Sequence, residues 1–284
     1  MPSFTLLGQS VLSGVFIGAL YGLLGLGLTL SWGLLRQINL AHFALVFLGA
    51  YLNYQLAAAG LDPLLTLAIT APAFFLLGVA LHWLIARFSV SPLNTLLVTF
   101  GFMVMIESLI QWVWTADFRR METHYGNVRW KIGEFYVPLP ELLTLIVAAV
   151  LAYGVWALLR YTDLGKAMRA ASEDAPVAAA FGVNEKLLAL LLSGACAAFA
   201  AVAGLCLALS HTMAPAQIYA WIGVVFAAVM IGGLGNPLGP LFAGIVIGIS
   251  EALTMALIAP AWAPLVSFTL LIALLLIRPN RFAP

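Results

Sequence analysis

YTDLGKAMRAASEDAPVAAAFGVN, residues 161–184, is the longest polar interruption on one side of an otherwise apolar chain, and its placement decides how the rest is threaded. Four of the twelve basic residues lie in or beside it: Arg160, Lys166, Arg169 and Lys186. It also carries Asp163, Glu173 and Asp174 among many alanines. A short helix here would show a small, alanine-lined face with charges at its rim, suited to a groove on another protein. A solvated loop between two membrane helices is the plainer alternative.

Around this stretch the chain is too apolar for water. Of 284 residues, 64% are hydrophobic and 8% charged, against about 25% charged in a soluble domain. Apolar runs fall near 11–35, 40–59, 64–86, 92–115, 138–159, 187–210, 218–234, 238–258 and 262–277. A run of roughly 20 residues crosses the bilayer core as a helix. The expected fold is all-α: a polytopic integral membrane protein with eight or nine transmembrane helices, one transmembrane domain over residues 1–284. Eight crossings would follow if the two runs around the Gly/Pro stretch at 232–240 form a broken or re-entrant pair. The alternating short segments of a β-barrel are absent. A net charge of +1 gives no argument for a nucleic-acid partner.

Orientation follows from the excess of Lys and Arg on cytoplasmic loops. With residues 160–186 in the cytoplasm, alternation over nine segments places Arg36, Arg87, Arg278 and Arg281 there as well. The loop near 116–137 falls outside with Arg119, Arg120, Arg129 and Lys131, giving eight basic residues inside against four outside. The N-terminus is then expected in the periplasm and the C-terminus in the cytoplasm. The opening MPSFTLLGQ has no basic residue and is a poor match to a cleaved signal peptide.

Several polar residues interrupt the apolar runs. Arg36, Gln37, Asn39 and His42 do so within residues 31–51, SWGLLRQINLAHFALVFLGAY. At bilayer depth each would need a partner or a watery cavity. Asn39 could cap the following helix, leaving its N–H groups to face a polar ligand; a short cytoplasmic turn with a packing His42 is the alternative. Glu107 lies deep in MVMIESLIQW and is either on a solute path or a pin between helices. Glu251 is a similar case in which the pin is favoured. The aromatic loop near 116–137 is a lid, a seat for an external partner, or a plain interfacial loop.

Residues 231–244, IGGLGNPLGPLFAG, cannot continue a helix through Gly235-Asn236-Pro237. Gly233, Gly235 and Asn236 therefore belong to a loop at one surface or to a transport path. The spacings Gly14–Gly18–Gly22 and Gly244–Gly248 let helices approach closely. Residues 12–31 weakly resemble 192–210, and the two would run in opposite directions, as in an inverted repeat. Cys196 and Cys206 lie about 15 Å apart along one helix, too far for a disulfide. There is no GxxxxGK[ST] phosphate loop, no HExxH, no metal-ligand cluster and no nucleophile–base constellation, so an enzyme is not expected.

Four stretches together resemble the LivH-type permeases of branched-chain amino acid ABC importers, within the LivH/LivM family. They are GLTLSWGLLRQINLAHFALVFLGAY at 27–51, GKAMRAASEDAPVAAAFGVN at 165–184, MIGGLGNPLGPLFAGIVIGISEAL at 230–253, and Arg278-Pro279. The family usually has Gly and a polar or acidic residue after Asn-x-Ala-His; here Phe43 and Ala44 stand there. The resemblance implies a permease subunit in a bacterial inner membrane, moving branched-chain or other hydrophobic amino acids. Its implied partners are a second, LivM-like permease, two cytoplasmic ATPase subunits and a periplasmic solute-binding protein. ATP is then used by the partners, with no cofactor in this chain. Residues 165–184 become the coupling segment, with Gly165, Arg169, Ala170, Ala171, Glu173, Asp174, Ala178, Ala179 and Gly182 in or near the ATPase groove. Asn39, His42, Phe43, Glu107, Gly233, Gly235 and Asn236 are the candidates for the solute path. Urea or short amides are alternative solutes within the family, and a self-contained secondary transporter or channel is the alternative outside it.

Overall fold

In a computed structural model of the chain, residues 4–88 and 91–277 are described. The helices run α1 (Phe4–Leu35), α2 (Ala41–Ala58), α3 (Pro63–Phe88), α4 (Pro92–Trp114) and the short α5 (His124–Asn127). A two-stranded hairpin follows, β1 (Arg129–Ile132) antiparallel to β2 (Phe135–Pro138). Then come α6 (Leu139–Tyr161), α7 (Asp163–Glu173), α8 (Ala175–Ala180), α9 (Glu185–Ser210), α10 (Ile218–Gly232), α11 (Gly239–Leu257) and α12 (Ala263–Ile277). The nine expected apolar runs are all helical.

Among the described residues seven helices are long and apolar enough to cross a membrane: α1, α3, α4, α6, α9, α10 with its leading turn, and α11. α12 has 15 residues, and α2 is diluted by His42, Asn53 and Gln55. α2 tolerates that polarity because it is the buried centre. Phe43, Ala44, Phe47, Ala50 and Tyr51 are enclosed, and Asn53 accepts from the Thr66 and Thr70 hydroxyls at 2.7 and 3.0 Å.

The polar linkers gather at two ends, alternately along the chain. At one end Thr5 donates to Glu134 (2.8 Å), Tyr125 donates to Asp62 (2.8 Å), and the backbones of Arg119 and Met213 pair. At the other, Arg36 Nη2 donates to the Ser172 carbonyl (2.8 Å) and Gly235 N to the Thr29 carbonyl (3.1 Å). The Gly/Pro stretch is thus a turn joining α10 to α11 at this second end, and no re-entrant pair forms. Arg278 and Pro279 lie outside the described residues.

Glycine sets the closest packing. A Cβ on Gly14, Gly18 or Gly22 would lie 2.5 Å from the Cα of Ile249, Ile245 or Leu241, so α1 and α11 touch backbone to backbone. A Cβ on Gly78 of α3 would likewise lie 2.5 Å from Ala197 Cβ of α9. These two crossings are counterparts. Leu12-Ser13-Gly14 matches Leu192-Ser193-Gly194, and Asp62-Pro63-Leu64 matches Asn236-Pro237-Leu238. Counting on from those anchors sets Phe75 level with Ile249, and Gly194 packs on Phe75 as Gly14 packs on Ile249. α1 and α9 run in opposite directions, and each packs against the third helix of the other set. The weak resemblance between 12–31 and 192–210 is therefore matched by packing, as in an inverted repeat.

Candidate functional site

The second end carries a two-helix projection. α6 stops at Tyr161, and Thr162 caps α7 by accepting from Gly165 N at 3.1 Å. Gly165 lies on the backbone of Leu158 and Leu159, where a Cβ has no room, so the chain folds tightly back. α7 is amphipathic. Its buried Met168 joins a cluster with Leu26, Leu30, Leu159, Leu192 and Cys196, which ties the projection to α1, α6 and α9. Asp174 ends α7 and caps α8, accepting from Val177 N at 3.1 Å. Gly182 turns the chain at φ +86, a backbone that disfavours a side chain, and Asn184 caps α9. The Arg36 bond to Ser172 is a second tether, made from a residue itself at φ +54.

Arg169, Ala170, Glu173, Asp174, Ala179 and Gly182 are exposed on this projection, and Ala171 is half-buried. Gly165 and Ala178 are buried within the chain and shape the segment from beneath. Among the described residues the one ion pair is Lys166–Asp163 at 2.9 Å, and it holds the Asp163 carboxyl below its usual range. Arg169 and Glu173 are left unpaired by ions. The sequence reading missed Phe181 and Val177, which are 86% and 51% exposed beside these alanines. Their signal was an apolar pair inside an otherwise polar linker.

The solute-path candidates separate into three places. The first is the α1–α2 turn. Asn39 does not cap α2, which begins with Leu40 at the cap position; instead Asn39 Oδ1 is buried without a partner. His42 is buried with Nε2 3.1 Å from the Leu24 carbonyl, its ring resting on Gly27, so it is a satisfied packing residue. Asn39 and His42 line a cavity of about 20 Å³ with Thr99, His82 and Ser193, the last two bonded at 2.9 Å. Phe43 points elsewhere and stacks on Phe226 at 6.0 Å. The second place is the α10–α11 turn: Gly233 accepts from Thr29 Oγ1 at 3.2 Å, and Asn236 Oδ1 accepts from Leu238 N. The third is Glu107, remote from both. It accepts from Tyr219 at 2.5 Å and from Gln111 at 3.1 Å, the geometry of a pin between α4 and α10. Glu251 likewise accepts from Tyr21 (2.8 Å) and Ser267.

Three further cavities are formed. One of about 290 Å³ lies under the projection, among Arg36, Gln37, His82, Ser172 and Glu173. One of about 900 Å³ lies at the opposite end under the 116–137 loop, with Asp62, Arg120, Glu122, His124 and Arg129 on its walls. The third, of about 280 Å³, lies between α1, α6, α11 and the end of α9 and includes Glu141, Thr144, Ser210 and His211.

A family model described as "Branched-chain amino acid transport system / permease component" matches residues 10–275. The chain is 27% identical over 291 residues to the high-affinity branched-chain amino acid transport system permease protein LivH of Escherichia coli K12, covering 96% of this chain and 94% of that one. It is 26% identical over 296 residues to the permease protein BraD of Pseudomonas aeruginosa PAO1, covering 99% and 96%. A probable branched-chain amino acid transport permease LivH of Methanocaldococcus jannaschii is 35% identical over 143 residues, 47% of this chain and 44% of that protein. No solved structure matches. With seven membrane-length helices and a model match along nearly the whole chain, the protein belongs to the family of permease components of branched-chain amino acid transport systems.

Proposed function

We propose that this chain is the LivH-like permease subunit of an ABC importer for branched-chain or other hydrophobic amino acids. Its partners are a second, LivM-like permease, two cytoplasmic ATPase subunits that use the ATP, and an external solute-binding protein. The observation that carries this reading is the α7–α8 projection. It offers exposed alanines, unpaired charges and an exposed Phe181 on one side, and is tethered to the transmembrane helices on the other. Such a device turns a push on the projection into movement of α1, α6 and α9 together. The positive-inside bias puts the projection in the cytoplasm, the N-terminus outside and the C-terminus inside.

Arg169 and Glu173 set the register of docking by charge, which fixes specificity more than affinity. Phe181 and Val177 supply the apolar contact. The motion expected is rocking of the bundle, with α11 carried along by its backbone contact with α1. The test is purification of the tagged protein from mild detergent with identification of co-purifying chains. Two ATPase chains and a second permease support the reading. A lone chain that moves amino acids in ATP-free liposomes overturns it in favour of a secondary transporter or channel.

A further inference from the structure

We propose that the 280 Å³ cavity between α1, α6, α9 and α11 is a binding site for a hydrophobic amino acid in its zwitterionic form. This rests on the transport reading above and assigns the solute a place that the residues singled out in the sequence do not provide. Asn39, His42 and Glu107 sit apart, and two of the three are already satisfied by the protein. This cavity instead gathers a carboxyl group, three hydroxyls, an imidazole and an apolar wall.

Each polar group has capacity left over. Glu141, in the first turn of α6, has no hydrogen-bond or ion-pair partner among the described residues. Thr144 donates to the Pro140 carbonyl at 2.9 Å and lies 3.3 Å from Ser210 Oγ. Ser210 must therefore be the donor in that pair, and its own oxygen stays open as an acceptor. Glu141 and Ser210 together suit an ammonium group. His211 Nδ1 is buried without a partner, while the ring is held edge-on against Trp221 at 5.7 Å and 88°. A protonated Nδ1 supplies a donor for a carboxylate. The buried Phe16 and Leu20 give the wall that an aliphatic side chain needs. A buried polar atom without a partner is costly, and a bound carboxylate removes that cost at His211 Nδ1. The volume is at the small end for ligand sites, which run from about 300 Å³ upward, and so fits an amino acid rather than a larger solute.

The test uses the full chain with its co-purifying subunits in mild detergent, and radiolabelled L-leucine as the probe. Saturable binding is expected, with leucinamide (no carboxylate) and isocaproate (no ammonium) competing poorly. Glu141→Gln and His211→Ala should each weaken binding about tenfold or more, as loss of a charge-assisted bond does. Gly101→Ala, which meets nothing within 4 Å, should leave it unchanged. Met255→Trp, at the exposed mouth, keeps every polar group and fills the cavity, so it should abolish binding even where a polar variant fails to fold. Absence of saturable leucine binding overturns the proposal, as does wild-type affinity in Glu141→Gln and His211→Ala. ATP-driven uptake by the whole importer separates the two readings. Leucine uptake without binding here sinks this site alone, whereas failure to move any amino acid sinks the transport reading beneath it.

Discussion

Gly18→Ala is the sharpest test of how this bundle is held. The added methyl carbon would lie 2.5 Å from Ile245 Cα and closer still to the Gly244 carbonyl oxygen. Carbon atoms rest at about 3.5–4.0 Å, so α1 and α11 must part by roughly 1 Å or more. The obstruction is backbone, which cannot swing aside as a side chain would. Parting at Gly18 also loosens the contacts at Gly14 and Gly22. Overpacking of this kind costs about 1–3 kcal/mol, and three linked contacts place it at the upper end. At roughly 2–4 °C per kcal/mol for a chain near this size, the apparent midpoint in detergent should fall by roughly 5–10 °C. Unfolding of such proteins is commonly irreversible, so all variants must be compared at one heating rate. Gly101→Ala and Gly154→Ala are the controls. Both positions are helical with open space around them, and alanine there gains up to about 1 kcal/mol of helix propensity. Equal shifts for Gly18→Ala and Gly101→Ala would refute backbone contact as the basis of the α1–α11 pair.

Three further outcomes are expected. Glu173→Lys with Asp174→Lys should abolish ATP-driven uptake while membrane insertion, read by protease accessibility, stays intact; Asp174→Asn keeps the α8 cap and should keep insertion and stability. Glu107→Gln should retain transport, because the amide oxygen still accepts from Tyr219, whereas Glu107→Leu removes the bonds from both Tyr219 and Gln111 and should lower stability by about 1 kcal/mol or more in a thermal scan. The Tyr125–Asp62 clasp should loosen at both pH extremes. Its hydrogen bond holds Asp62 below the usual carboxylate range, so that contribution is present above about pH 4 and lost as pH falls through the depressed value. The same bond holds the Tyr125 phenol above its usual range, so its contribution is present below about pH 10 and lost as pH rises through the raised value. Proteolysis of the 116–137 loop should therefore be slowest at neutral pH, and a rate independent of pH would remove the clasp.

The sequence by itself determined the inventory of elements. Nine apolar runs became nine helices because a segment without polar side chains must satisfy its backbone internally, and that constraint reads from local composition. Gly235-Asn236-Pro237 marked the turn between two runs because proline fixes its backbone angle and cannot continue a helix, which is also local. Residues 161–184 announced a projection through charge and alanine, and the order of family-like stretches announced the permease family.

What only tertiary structure decided is which residues meet. In water an amphipathic stripe shows which side of a helix faces inward. In a bilayer the lipid-facing and helix-facing sides are both apolar, so Glu107 carries no mark that its partner is Tyr219 on α10, 112 positions away. Asn39 looked like a cap because its residue type caps helices; the packed turn starts α2 at Ala41 and leaves its oxygen buried and unpaired instead. Glu141 and His211 drew no notice because each lies at a helix end, where polar residues are ordinary. Only the packing of α1, α6, α9 and α11 brings them to one cavity, and that packing depends on glycines whose neighbours lie more than 200 positions away.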